Sequence, residues 1–381
     1  MAHSKTYGLH SRAAIFGRVT ALLIAVGLIT ACGVAANDSS GSGGTPNGTG
    51  SPSTGPARPS ALPAKAPFTV LRQIAVPGQA WGLVAGERAL FALSADGSGT
   101  TIVRIDQATG HAGPSIREAN VAGTAIAGGL LWVVRHASSV HAKPAAVLGL
   151  SPLTLRTERT VALPDRPAWG ASDAAAAGGL VWIAGTRLLM GIDPATGSLV
   201  KTVNLGTELR SSGWTAVASD PAGTSLWTSE GSGGGGPIAV QRRDARTGAV
   251  LGAVNAPVAG LGAARITADP DHAWLAYATG MEGSYFRATV AGSHLRETQP
   301  RRARTARETF SNGLKTFLAG QTLWIVDGNS ISCAADATGR ILSQVSGPKA
   351  LFSDLASQPN GRLALAFNGD VLIVRPKSPC A

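Results

Sequence analysis

The chain has 381 residues but only three cysteines, and charged side chains make up just 14% of it. Helix-favouring runs of Leu, Glu and Lys are scarce and no apolar heptad is sustained, which argues against helical and coiled-coil classes. No Gly-x-Ser-x-Gly elbow, His-Glu-x-x-His pair or Gly-x-x-x-x-Gly-Lys-[Ser/Thr] loop occurs, so the local signatures of serine hydrolases, zincins and P-loop NTPases are missing. The Gly-rich stretch EGSGGGGP (Glu230–Pro237) has neither the lysine nor the following helix that a phosphate loop needs, and it reads as a connection between strands. What the chain has in quantity is 49 glycines, 22 prolines and 44% hydrophobic residues. Low charge with high glycine suits closely spaced strands and turns, and an all-β class is expected.

The first 31 residues are read as a targeting segment and set apart from the fold. Lys5, Arg12 and Arg18 form a positive start, and VTALLIAVGLIT (Val19–Thr30) is an apolar run shorter than the roughly 20 residues a bilayer span needs. It ends in Ile29-Thr30-Ala31-Cys32, which resembles the bacterial lipobox. That resemblance implies cleavage before Cys32, a diacylglycerol on its thiol, and an anchored domain on the extracytoplasmic face of the cell membrane. Residues 32–66 follow as lipidated cysteine and tether, because a Gly/Ser/Thr/Pro tract cannot bury a core. Loss of residues 1–31 removes three cations and no acid, so the formal charge falls from +11 to +8. A basic exported domain can contact anionic envelope polymers or lipid, while the exported address speaks against nucleic acid.

Residues 67–381 carry a repeat. An aliphatic residue followed by a large one inside an apolar strand recurs at Phe91, Trp132, Trp182, Trp227, Trp274, Trp324 and, lapsed, Ala364, with spacings of 41, 50, 45, 47, 50 and 40 residues. Each unit divides into a small-residue strand, the Trp strand, a third strand, an Asp-x-x-Thr-Gly turn and a fourth strand. The turn occurs at Asp106–Gly110, Asp193–Gly197 and Asp244–Gly248 and decays to ADATG at Ala335–Gly339. There Asp caps the turn and Gly supplies the positive φ. Four strands per unit at this period predict the blades of a seven-bladed β-propeller. The last unit has only three strands, and FTVLRQIAVP (Phe68–Pro77) stands alone before the first, so it is expected to complete blade seven as its outer strand. Cys333 and Cys380, the pair left after the anchor, suit a disulfide in an exported chain.

The Trp strand with IDPATG resembles the seven-bladed propellers of the YVTN type, with the NHL and virginiamycin B lyase-like families as neighbours. Two kinds of chemistry come with that resemblance. Quinoprotein propellers carry a Trp shortly after a similar turn, but SLVKTVNL follows Gly197 and AVLGAVNA follows Gly248. The lyase likeness would require histidines and a glutamate gathered about a metal, whereas His111, His136, His141, His272 and His294 are scattered with no His-x-Glu or Glu-x-His pairing. No cofactor, metal or catalytic set is therefore expected. The chain reads as a monomeric binding scaffold for an envelope protein or glycan, and an envelope enzyme built from loops of several blades is the alternative.

Binding is expected on the face where the strand two-to-three loops and the inter-blade connections emerge, because the longer and more varied loops lie there. Trp169, Trp214, His136, His141 and Glu230 are the candidate ligand residues on it. The charge run HLRETQPRRARTARE (His294–Glu308) is placed in the connection from blade five to blade six, where Arg301, Arg302, Arg304 and Arg307 would form an anion-binding loop.

Overall fold

The structure is a computed structural model, and it describes residues 65–381 apart from 96–98, 137–144, 164–172, 186–187, 206–213, 232–236, 260–264, 280–281, 292–293, 298–300, 303–313 and 348–350. The leader, Cys32 and the tether lie outside the described residues. Seven antiparallel sheets form the domain, and no helix occurs among the described residues.

Blade one comprises Gln79–Ala85, Ala89–Ala95, Thr100–Asp106 and Ala112–Glu118; blade two Val121–Ala127, Leu130–Arg135, Ala146–Leu150 and Thr157–Ala162. Blade three is built from Asp173–Ala177, Leu180–Ala184, Leu188–Asp193 and Ser198–Asn204, and blade four from Trp214–Ser219, Ser225–Gly231, Pro237–Asp244 and Val250–Ala259. Blade five has Arg265–Ala268, His272–Thr279, Glu282–Ala291 and an outer edge in two pieces, His294–Glu297 and Arg301–Arg302. Blade six has Lys315–Ala319, Thr322–Asp327, Ser330–Ala335 and Ile341–Ser346. In blade seven Phe352–Ser357, Leu363–Phe367 and Asp370–Pro376 are joined on the outside by Phe68–Ile74, in a register from Phe68↔Pro376 to Ile74↔Val371. The expected propeller and its closure by the N-terminal strand are both present. The first strands contact one another in ring order, from blade one round to blade seven and back.

The recurring large residue packs the blades together. Phe91, Trp132, Trp182, Trp227, Trp274 and Trp324 are all fully buried in second strands, between neighbouring sheets. Several indoles also bond across the interface, since a buried N–H needs a partner. Trp182 Nε1 donates to Ala245 O of blade four at 2.9 Å, and Trp227 Nε1 to Asp269 O of blade five at 3.2 Å. Cys333 in the third strand of blade six is bonded to Cys380 with Cα atoms 5.8 Å apart, which ties the C-terminal end to the ring.

The Asp-x-x-Thr-Gly turns work as expected. Asp106 Oδ1 accepts from Ala108 N, Thr109 N and Thr109 Oγ1, and Gly110 closes the turn at φ 68°. Asp193 and Asp244 do the same with Ala195 and Thr196, and with Arg246 and Thr247. These bonds hold all three carboxyls below the usual 3.8, led by the Thr109 and Ala195 amides and the Thr247 hydroxyl. Because the folded values are depressed, the unfolded chain takes up protons first. Their stabilisation is complete above the ordinary carboxylate range and is lost as pH falls through the folded values. The thermal midpoint should therefore fall on acidification from about pH 5 to about pH 3. Asp193→Asn should make that fall shallower, and an unchanged slope would remove these turns from the acid response.

Candidate functional site

First strands carry small residues because seven of them converge on one axis. GTA in blade two and DAAAA in blade three are typical. They leave a central cavity of about 450 Å³ lined by all seven first strands. Every first strand starts on the face from which the inter-blade connections arrive, so the opening residues of these strands form one rim. Four of them are charged: Asp173 and Arg265 and Lys315 open blades three, five and six, and Asp354 is third in blade seven. All four line the cavity.

Backbone shape sets two of these groups. A Cβ on Gly123 would lie 2.7 Å from Asp173 Cα and carbonyl carbon, so only glycine lets blade two approach blade three closely enough here. Asp173 Oδ1 accepts from Ala174 N at 3.0 Å, and Oδ2 lies 3.4 Å from Val217 N of blade four. Asp354 Oδ2 accepts from Leu83 N of blade one at 2.7 Å. Lys315 Nζ stands 3.3 Å from Asp354 Oδ1 and donates to Trp81 O at 3.1 Å. Blades six, seven and one are thereby linked at the rim. Arg265 Nη1 is 4.0 Å from Asp173 Oδ1, and at 38% side-chain exposure Arg265 is the most open of the four.

Burial pushes the Asp173 carboxyl up and the Lys315 ammonium down, with Arg265 opposing the first and Asp354 the second. The rim thus holds two cations and two carboxylates above a throat of small residues, alanines mixed with hydroxyl side chains such as Thr124, Thr267 and Thr316. Such a mouth can receive a polar or charged group of a partner and seat a narrow segment below it.

The residues singled out from sequence are distributed otherwise. His136 follows the second strand of blade two on the rim face, where its amide donates to Asn120 O at 3.0 Å. Trp214 is the first residue of a strand, paired with Gly231 at the rim end of blade four. Glu230 likewise extends the second strand of blade four instead of lying in the loop after it; it is buried, and its Oε1 accepts from Arg243 Nη2 at 2.8 Å. Arg301 and Arg302 are not loop residues either. They complete the outer edge of blade five, paired with Tyr285 and Ser284. Trp169, His141, Arg304 and Arg307 lie outside the described residues.

A second polar cluster lies on the opposite face, between blades five and six, where the sequence suggested no metal set. Asp269, His272 and Asp336 place one ligand atom each within 4.8 Å of one another. His272 Nε2 is 3.0 Å from Asp336 Oδ1 and 3.8 Å from Asp269 Oδ2, while Nδ1 is 2.7 Å from Asp271 Oδ1. Burial alone would lower the imidazole's pKa, but hydrogen bonds to Asp336 and Asp271 outweigh it and hold the ring above the usual 6.5. Trp274 Nε1 donates to Asp336 Oδ1 at 2.6 Å.

No family model and no curated protein matches the sequence. Solved structures do match the fold. The β-propeller domain of Cps50 (Swd1) from Myceliophteria thermophila aligns with a TM-score of 0.59 at 15% identity, covering 82% of this chain and 100% of that one. BamB from Moraxella catarrhalis aligns at 0.53 and 13% identity, covering 81% and 99%. The WD40 domain of Toxoplasma gondii coronin aligns at 0.56 and 13% identity, covering 84% and 89%. Likeness at these identities shows the propeller fold and nothing of activity.

Proposed function

We propose that the chain is a non-enzymatic interaction scaffold, lipid-anchored through Cys32 on the extracytoplasmic face of a bacterial membrane, that holds an envelope protein at the mouth of its central cavity. Support for the address comes from the basic start, apolar run and Ile29-Thr30-Ala31-Cys32 ending of the leader. One observation carries the choice of face: Asp173, Arg265, Lys315 and Asp354 come from four different blades and meet at a single rim over a 450 Å³ cavity. None of them sits in the Trp-strand core, and rim charges on a rigid frame give orientation and specificity to docking. The lipid on Cys32 and the residues up to 66 that follow it would hold the domain within reach of membrane-bound partners.

The test is affinity capture from envelope extract with the wild-type domain and with Arg265→Glu. Arg265 is the most open rim charge, so the reversed chain should still fold to the same ring with one cooperative thermal transition. A discrete protein retained by wild type and reduced about tenfold by the variant, the equivalent of roughly 1.4 kcal/mol, is expected. Retention of wall polymer in place of protein would assign a glycan ligand. Equal recovery by both chains would remove the rim from recognition. The enzyme reading has one observation behind it, a partly buried Lys315 whose pKa burial depresses, at the end of a cavity. Turnover of an envelope substrate that is lost in Lys315→Met and kept in Arg265→Glu would favour it.

A further inference from the structure

Asp269, His272 and Asp336 each depart from what their positions do elsewhere in the ring. In blade four the hairpin DPAGTS is capped by Asp220, whose carboxylate accepts from Ala222 N, Ser225 N and Thr224 Oγ1. The matching hairpin of blade five, DPDH, is two residues shorter and closes through Asp269 N to His272 O at 2.8 Å. Asp269 caps no turn in that geometry. Among the described residues its carboxylate has only the 3.8 Å contact with His272.

Asp336 is displaced in a comparable way. Ala335 occupies the capping position held by Asp106, Asp193 and Asp244, and its carbonyl closes the turn with Gly339 N at 2.7 Å. Asp336, one residue later, points across the interface to blade five. A shortened hairpin and a shifted turn thus release two carboxylates toward one point, and a 4% exposed imidazole side chain stands between them.

The chemistry of that point suits a cation. A ring whose Nδ1–H donates to a carboxylate, here Asp271 at 2.7 Å, has its Nε2 lone pair directed and made more basic, as in carboxylate–histidine–metal arrangements. Ligand atoms around a four-coordinate ion with bonds of about 2.0–2.1 Å stand roughly 3.3 Å apart. The Nε2 separations of 3.0 Å from Asp336 Oδ1 and 3.8 Å from Asp269 Oδ2 bracket that figure. Asp336 Oδ1 also accepts from the Trp274 indole and keeps its second lone pair for an ion, while Arg287 Nη2 stands 3.9 Å from Oδ2. Three carboxylates against one guanidinium leave a local charge of −2 around a neutral imidazole, which a divalent ion balances. We infer that Asp269, His272 and Asp336 form a divalent transition-metal site of the zinc class, with solvent completing the shell, that clamps blade five to blade six.

The experiment is calorimetric titration of the chelator-treated full chain with Zn²⁺ near neutral pH. Wild type should bind one equivalent at this site with a raised thermal midpoint. Asp269→Asn should weaken that event at least tenfold while keeping the metal-free midpoint of wild type, because the Asp269 carboxylate carries no turn bond. His272→Gln should weaken it at least as much. Wild type that shows no stoichiometric event, or Asp269→Asn that binds like wild type, would overturn the assignment and leave an imidazolium–carboxylate contact only.

Discussion

Deleting Phe68–Ile74 is expected to abolish cooperative folding of the ring. The segment pairs along Asp370–Pro376 and buries Phe68 and Ile74, two side chains together contributing on the order of 3–6 kcal/mol. Domains of ordinary stability have about 5–15 kcal/mol in all, so the deletion removes a large share of it. It also bares the edge of Asp370–Pro376, and an unpaired edge is a template for association between chains. The truncated chain should be recovered as oligomers with a broad thermal transition. Phe68→Ala, which leaves the backbone pairing in place, should remain monomeric and lose about 3–5 kcal/mol in urea unfolding. A truncated chain that melts as one sharp transition at the wild-type midpoint would show that closure by this strand contributes little.

Arg243→Met should be the most damaging single change inside a blade. Arg243 is buried in the third strand of blade four; its Nε donates to Thr228 Oγ1 at 3.0 Å, Nη1 to Gly248 O at 2.8 Å and Nη2 to Glu230 Oε1 at 2.8 Å. Gln241 Oε1 accepts from Nη2 as well. Burial already raises the Glu230 carboxyl, and Arg243 is the charge that opposes the rise. Without the arginine, Glu230 is left as a buried charge with no counter-ion, a situation that costs about 3–5 kcal/mol. The double change Arg243→Met with Glu230→Met should recover most of that loss, because apolar groups of similar volume commonly replace a buried pair with little penalty. Urea unfolding of the cycle gives the coupling directly. A single-variant loss below about 1 kcal/mol would mean that water reaches Glu230.

The ring was legible because the Trp position repeats and stays buried each time, as at Trp182 and Trp324. Closure was legible from counting three strands after Leu351 and one before Gly78. Outer strands gave weaker signals. Residues such as Thr157–Ala162 and Ser198–Asn204 are mostly exposed, so they show no apolar alternation, and His294–Glu297 with Arg301–Arg302 was mistaken for a connection. Glu230 was misplaced for a different reason: its partner, Arg243, lies on the next strand across a glycine run, and nothing local announces the pair.

The rim was hidden in a further way. Asp173, Arg265, Lys315 and Asp354 belong to separate blades and share no motif. Their one common sign is a charge at or near the start of a first strand of small or apolar residues, visible in DAAAA, RITA, KTFLA and FSDLAS. Asp336 could have been found from the decayed turn ADATG, where the aspartate has moved one place past the cap.

The central claim is that the charged rim, and not the turn face, is where the partner sits. Site-specific photo-crosslinking from intact envelopes tests it most directly. Trp81→p-benzoylphenylalanine places the probe in the rim, where Trp81 lines the cavity, and Ala195→p-benzoylphenylalanine places it on an exposed turn of the opposite face. The account predicts a discrete protein adduct from position 81 that is absent from position 195 and diminished when Arg265→Glu is added. The same adduct from position 195, or none from position 81 in a folded chain, would contradict it.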